Sequence, residues 1–170
     1  MNLTFNFTLK EFINSETATK YGYSEQWNPS EEVKNNLIDL AVNTAEPIRI
    51  GLNLPFSPTC GFRCKRVNDK VGGASNSEHL GGNAFDETFI RNGKNVSREV
   101  FDWIIAGGLP KWSKLILEFP DKNGIPRWLH IGYDKNNLSK QVLVAEKNIL
   151  GKTVYTDFFK SKYYKKWIGL

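Results

Sequence analysis

The chain has 170 residues, a formal net charge of +5, 40% hydrophobic residues and 24% charged residues. This length suits one domain with a hydrophobic core, and no apolar run approaches the ~20 residues of a membrane-spanning helix, so we expect no membrane insertion. The basic balance favours an anionic partner, but no nucleic-acid motif accompanies it, and we expect no nucleic-acid partner. We expect a monomer.

The N-terminal segment predicts a short capped helix and no export signal. Residues 1–8 lack the basic stretch and apolar core of a secretory signal peptide, so we expect synthesis in a cytoplasm without export. Thr8 and Glu11 have the spacing of a capping box, which predicts a helix that starts after Thr8 and runs to about Asn14. In such a cytoplasm, Cys60 and Cys64 are expected to be unbridged packing residues.

A second helix is predicted from Ser30, whose side chain suits the N-cap position. Its apolar residues recur at helical spacing and form one stripe, made of Val33, Leu37, Leu40, Ala41 and Thr44. Pro47 is expected to end this helix, and residues 48–52 are interpreted as a short strand. A further short helix is predicted from Cys64 to about Lys70.

The second half of the chain predicts strands and one more helix. Ser97 is expected to cap a helix that ends near Gly107, and residues 114–119 and 128–133 are expected to pair as a hairpin. The remaining predicted strands are residues 83–89, 141–145 and 152–155. The pattern predicts an α+β fold with a small antiparallel sheet, one domain over residues 1–158, and a basic, aromatic tail over residues 159–170.

Two histidines, His79 and His130, are the only ones in the chain, so a site that needs two imidazoles must use both. Asp86 follows His79 by seven residues, across a turn that contains Gly81 and Gly82. Two imidazoles and one carboxylate form a common catalytic zinc set, since three protein ligands leave one tetrahedral position for water or substrate. Each histidine alone would be interpreted as a structural residue, but the pair in this context favours Zn²⁺.

These residues resemble the signature of the zinc D-Ala-D-Ala metallopeptidases, which cut the peptides of bacterial cell walls. That signature is Ser-x-His-x-x-Gly-x-Ala-x-Asp followed by Trp-x-His. It is filled here by Ser77, His79, Gly82, Ala84, Asp86, Trp128 and His130. The resemblance implies that His79, Asp86 and His130 bind zinc, on a scaffold similar to that of Hedgehog signalling domains.

The resemblance also implies roles for residues around the metal. Arg63, in Gly-Phe-Arg, would bind a substrate carbonyl or carboxylate, although pairing with Asp69 or Glu78 is an alternative. Ser77 would contact the substrate backbone. Trp128 would pack beside His130 and limit water access, and its alternative interpretation is a plain core residue.

Several acidic residues are candidates for the general base. Glu118 is the first candidate, because phage-type members carry a glutamate in a similar Leu-Ile-x-Glu-Phe setting. Many relatives instead place the acid three residues before the last histidine, where this chain has Arg127. Asp121 and Glu87 therefore remain alternative bases, and a surface or salt-bridged strand residue is the alternative interpretation of Glu118.

The predicted function is zinc-dependent hydrolysis of peptidoglycan stem peptides, as a D-Ala-D-Ala carboxypeptidase or an endolysin-type endopeptidase, encoded by a phage. Without an export signal, such an enzyme would reach the wall after release from the cell or within a virion. The alternative is a non-catalytic zinc-binding module of a virion. Wall affinity of the tail is a further hypothesis, and its alternative is packing through Tyr164 and Trp167.

Overall fold

A computed structural model describes residues 1–167 of the chain as a mixed assembly of short helices around one main sheet. The helices are α1 (Leu9–Ile13), α2 (Glu16–Tyr21), α3 (Glu31–Leu40), α4 (Glu46–Gly51), α5 (Lys65–Lys70), α6 (Ser97–Trp103) and α7 (Lys162–Trp167). The strands are β1 (Ala84–Glu87), β2 (Ile90–Arg91), β3 (Lys94–Asn95), β4 (Lys114–Glu118), β5 (Trp128–Gly132), β6 (Gln141–Lys147) and β7 (Thr153–Asp157). Within these residues, no helix is long and apolar enough to cross a membrane.

The main sheet has five strands in the order β1-β5-β4-β6-β7. Neighbouring strands in this sheet run antiparallel, except that β4 and β6 run parallel. The predicted hairpin is present as β4 and β5, with Glu118 opposite Trp128 and Ile116 opposite His130. The α+β class and the mainly antiparallel sheet are therefore confirmed, and the parallel pair is an addition that the sequence pattern did not predict.

The two faces of this sheet have different chemistry, because side chains alternate along each strand. One face is apolar and fully buried, and it carries Phe85, Leu115, Leu117, Leu129, Ile131 and Val144. We call this the core face, since it belongs to the hydrophobic cluster that also holds Leu37, Leu40 and Phe101. The opposite face, called the site face below, carries Asp86, His130, Glu118 and Trp128.

The predicted stop at Pro47 and the predicted strand over residues 48–52 were wrong. The helix continues from α3 through a π-helical turn, Ala41–Ala45, into α4, where Pro47 occupies the first turn. A proline is tolerated there because the wider π-helical turn interrupts the regular i→i−4 hydrogen bonds just before it, with the N–H of Glu46 bonded to the carbonyl of Ala41. Two side chains also bond helix carbonyls near the wider turn, Thr44 Oγ1 to Leu40 and Asn43 Nδ2 to Asp39.

Several predicted boundaries agree closely with the structure. Thr8 and Glu11 form the capping box, and Ser30 Oγ accepts a hydrogen bond from the N–H of Val33. Ser97 is the first helical residue of α6 rather than its cap, because its hydroxyl accepts instead from the N–H of Phe89. Gly107 ends the helical region with a φ of 95°.

The C-terminal segment packs on the body of the protein as far as it is described. The Trp167 ring lies 4.6 Å from that of Phe101 and 4.8 Å from that of Phe158, and the Tyr163 hydroxyl donates to Glu146 at 2.9 Å. Residues 168–170, which belong to the predicted tail, lie outside the described residues. The division of the chain at residue 158 stays a prediction.

Candidate metal centre and catalytic cleft

The three predicted metal ligands meet on the site face of the sheet. Asp86 on β1 is the direct neighbour of His130 on β5, and Asp86 Oδ1 lies 2.9 Å from His130 Nδ1. His79 comes from the turn before β1, and its Nε2 lies 3.2 Å from Asp86 Oδ2. The two imidazole rings are 4.9 Å apart and nearly perpendicular. One nitrogen of each ring therefore points at the same carboxylate.

The outward nitrogens of the two rings are also engaged. His79 Nδ1 lies 2.6 Å from the carbonyl of Gly61, and His130 Nε2 lies 3.0 Å from Glu78 Oε2. Glu78 is held in turn by Lys114 at 3.1 Å. Such partners fix the tautomer of a metal-binding histidine and direct its free lone pair inwards. Glu78 was missed in the sequence, where its only signal was its place beside His79.

A tight turn delivers His79 to the start of β1. Glu78–Gly81 form one 3₁₀ turn, and Gly82 follows it with a φ of 71°. A Cβ at Gly82 would lie 3.0 Å from both Leu37 Cγ and the carbonyl oxygen of Val33. The glycine is thus required both by its backbone conformation and by its closeness to α3.

Arg63 also reaches this group of residues, through the carboxylate of Asp86. Its Nη2 donates to Asp86 Oδ2 at 2.8 Å, and its Nε donates to the sulfur of Cys60 at 2.9 Å. The expected alternative partners are occupied elsewhere, since Asp69 pairs with Lys65 and Glu78 with Lys114. Arg63 therefore places a positive charge beside the predicted metal site, and its Nε and Nη2 groups are already hydrogen-bonded.

Cys60 lies in the site, where the sequence suggested only a packing residue. It pairs with Asp86 at the outer edge of β1, and its sulfur lies 3.9 Å from His79 Nδ1. Cys60, His79 and Asp86 offer donor atoms within 4.8 Å of one another and could hold a metal ion. However, the thiol approaches the nitrogen of His79 that faces Gly61, so we place it beside the metal ligands. Both cysteines are unbridged, as expected.

Glu118 lies on the site face, one row of side chains away from His130. It is opposite Trp128 and therefore diagonal to His130, a relation that puts Cα atoms about 7–8 Å apart. Its side chain is buried, with 7% exposure. Trp128 is half-buried and its ring contacts Phe119, at 5.4 Å, so it forms a wall beside Glu118.

The alternative bases have different positions. Glu87 belongs to the core face, in register with Leu129, and accepts a hydrogen bond from the N–H of Thr59 at 3.0 Å. Asp121 lies in the turn after β4, where its Oδ1 accepts from the N–H groups of Asn123 and Ile125. Neither carboxylate is shown beside the three metal ligands. Ser77, half-buried, immediately precedes the turn that carries His79.

The electrostatics of the site follow from the closeness of these groups. Burial opposes the charged form of His79, yet the Asp86 carboxylate and Cys60 outweigh it and raise the pKa of His79 to about 10. His79 and His130 lower the pKa of Asp86 despite its burial. Burial, and then the charge of Asp86, raise the pKa of Glu118 to about 7. A carboxyl with that pKa can both accept and release a proton near neutral pH.

The donor types fit zinc, which imidazole nitrogens and carboxylate oxygens commonly bind. Tetrahedral zinc with bonds of about 2.0–2.1 Å requires donor atoms about 3.3 Å apart, close to the 3.2 Å and 2.9 Å that separate the Asp86 oxygens from the two ring nitrogens. A ligating imidazole must be neutral, so a cation at this point would replace the protons that Asp86 otherwise draws onto the rings.

The fold and this site fit a metallopeptidase type of domain. A family model described as Peptidase M15 matches residues 5–104, more than half of the 170-residue chain. The chain belongs to the Peptidase M15 family, whose peptidases are zinc-dependent. The matched segment includes Arg63, Ser77, His79 and Asp86, and it ends before the strands that carry Glu118 and His130. No curated protein matches the chain.

Proposed function

We propose that this protein is a zinc-dependent peptidase that hydrolyses peptide bonds in peptidoglycan stem peptides, and that it is encoded by a phage. The observation that carries the proposal is that His79 Nε2 and His130 Nδ1 both contact the carboxylate of Asp86, at 3.2 Å and 2.9 Å. A buried glutamate on the same sheet face adds the proton acceptor that hydrolysis needs. Membership of the Peptidase M15 family supports the reaction class.

His79, Asp86 and His130 would hold the zinc, with Gly61 and Glu78 keeping the rings in place. When bound, zinc supplies Lewis acidity that activates a water and polarises the scissile carbonyl. The Glu118 carboxylate accepts the proton of the attacking water and then delivers it to the leaving amine. Its pKa of about 7 suits both transfers near neutral pH.

The remaining residues bind and orient the peptide. Arg63 keeps Nη2 on Asp86, and the other edge of its planar guanidinium can donate to a substrate carbonyl or carboxylate. Ser77 is expected to contact the substrate backbone from the turn that carries His79. Trp128 stands opposite Glu118 on the hairpin and limits the access of bulk water to that carboxylate.

The test is release of new amino termini from purified peptidoglycan by the zinc-loaded protein, with His130→Ala as the matched control. Analysis of the products decides which bond is cut, since a carboxypeptidase releases free D-alanine and an endopeptidase releases longer fragments. Cleavage by the wild type and none by the variant would support the proposal. If the wild type cleaves no wall chemotype, a non-catalytic zinc module of a virion is the better account.

A further inference from the structure

One aromatic residue outside the signature also lies on the site face. Tyr155 on β7 pairs with Ala145 on β6, which pairs with Glu118 on β4, which pairs with Trp128 on β5. Residues in direct register point to the same face of a sheet, so these four side chains form one row. Glu118 therefore has an aromatic residue on either side of it along this row.

The residue between Tyr155 and Glu118 is small enough for the tyrosine ring to lean over it. Strands are about 4.8 Å apart, so the backbones of β7 and β4 are separated by about 10 Å. Ala145 places only a methyl group in that interval and is itself fully buried. A tyrosine side chain can lean across it towards the cleft, and Tyr155 is 56% exposed, so its ring faces space that a ligand can enter.

The electrostatic surroundings of the phenol agree with this position. After burial, the groups that raise the pKa of Tyr155 are Glu118 and Asp86, and Arg63 opposes them. All three belong to the proposed site. Within residues 1–167, the Tyr155 hydroxyl has no hydrogen-bond partner, and at neutral pH it keeps its proton. It is a neutral donor beside the cleft.

Thr153 and Asp157, the other two β7 residues on the site face, are not equally available. The hydroxyl of Thr153 accepts a hydrogen bond from Lys147 Nζ at 2.8 Å. Asp157 is engaged with the backbone. It lies in the row of His130, beyond Leu143 and Ile116, and its Oδ1 caps the next turn by accepting from the N–H of Phe159 at 2.9 Å. Thus β7 offers the cleft one uncommitted polar group, the hydroxyl of Tyr155.

We propose that Tyr155 is a substrate-binding residue whose hydroxyl donates a hydrogen bond to a backbone carbonyl of the bound peptide, on the Glu118 side of the cleft. This inference rests on the proposed peptidase function. The peptide lies against the exposed side of the Tyr155 ring, towards Glu118 and Trp128. Arg63 contacts it from the opposite side, across the metal ligands.

The test is Tyr155→Phe, which removes the hydroxyl and keeps the ring. The matched control is Tyr21→Phe, because Tyr21 is 43% exposed and stacks on Tyr23 in another part of the protein. The probe is a soluble stem pentapeptide ending in D-Ala-D-Ala. The measurements are kcat and KM for each protein, and the Kd of the pentapeptide for zinc-loaded Glu118→Gln with and without Tyr155→Phe, by calorimetry.

A neutral hydrogen bond contributes about 0.5–1.5 kcal/mol, so KM and Kd should each rise roughly 2- to 12-fold in Tyr155→Phe. The zinc content, the kcat and the Tyr21→Phe control should not change. If the wild type cleaves the pentapeptide and Tyr155→Phe retains its KM and Kd, the role of Tyr155 is refuted and the proposed function stands. If the wild type neither cleaves nor binds the pentapeptide, both are refuted.

Discussion

Glu118 and Glu87 are two buried glutamates on the same sheet, and they have opposite surroundings. Their exposures are 7% and 6%, and burial raises their pKa values to about 7 and about 8. Glu118 shares the site face with His130 and Asp86, whereas Glu87 shares the core face with Leu129 and accepts from the Thr59 N–H. A raised pKa thus reports burial, and the face of the sheet decides which carboxylate can take part in chemistry.

This comparison separates changes on the site face, which should alter metal binding and catalysis, from changes on the core face, which should alter stability. The largest effect is expected for His79→Ala and His130→Ala. Each removes one of three ligands, so bound zinc and peptide cleavage should both be lost. Elemental analysis of the purified variants measures this directly, and a variant with an undiminished zinc content would contradict the assigned centre.

Glu118→Gln and Glu87→Gln test whether the two glutamates have different roles on the two faces of the sheet. Loss of a positioned base typically costs ~10²–10⁴ in rate, so Glu118→Gln should lose cleavage by that factor while it keeps zinc and the fold. Glu87→Gln keeps an oxygen that can accept from Thr59 and should retain cleavage. Asp121→Asn, in the turn, should also retain cleavage. If Asp121→Asn loses cleavage and Glu118→Gln retains it, Asp121 is the general base.

The pH dependence of cleavage provides a finer test of Glu118. A base must be ionised to accept a proton, and the pKa of Glu118 is about 7. The ionised fraction falls about tenfold for each pH unit well below that pKa, so kcat/KM should rise with pH and level off above about 7. The residual activity of Glu118→Gln should not show this rise of kcat/KM with pH. If Glu118→Gln still shows the rise, the ionisation of another group causes it.

The smallest effect on cleavage is expected at the C-terminus. Deletion of residues 159–170 removes the buried Tyr163 and the contacts of Trp167 with Phe101. Full burial of a large apolar side chain contributes about 1.5–3 kcal/mol, so the deletion should lower the free energy of unfolding by on the order of 3 kcal/mol.

Below its lowered melting temperature, the shortened protein should still cleave a soluble stem peptide. Urea unfolding and cleavage of that peptide measure the two quantities separately. Equal stability of the full and shortened chains would favour the hypothesis that the tail binds the wall and does not support the fold.

The sequence by itself predicted the zinc ligands, because His79 and His130 are the only imidazoles and Asp86 follows at motif spacing. It also predicted most strands and helix caps. These depend on side-chain alternation, capping boxes and glycine turns, which involve residues only a few positions apart. It predicted the wrong end for the second helix, because the effect of Pro47 depends on the π-helical turn before it.

Only the tertiary structure decided which residues surround the ligands. Cys60 joins the centre through its pairing with β1, and Glu78 through His130, which lies 52 residues away along the chain. Tyr155 enters the Glu118 row only because β6 pairs with β4 on one side and with β7 on the other. Local patterns specify turns and periodicity, but the register between distant strands depends on the packing of the whole core. That register determined which buried carboxylate faces the metal ligands.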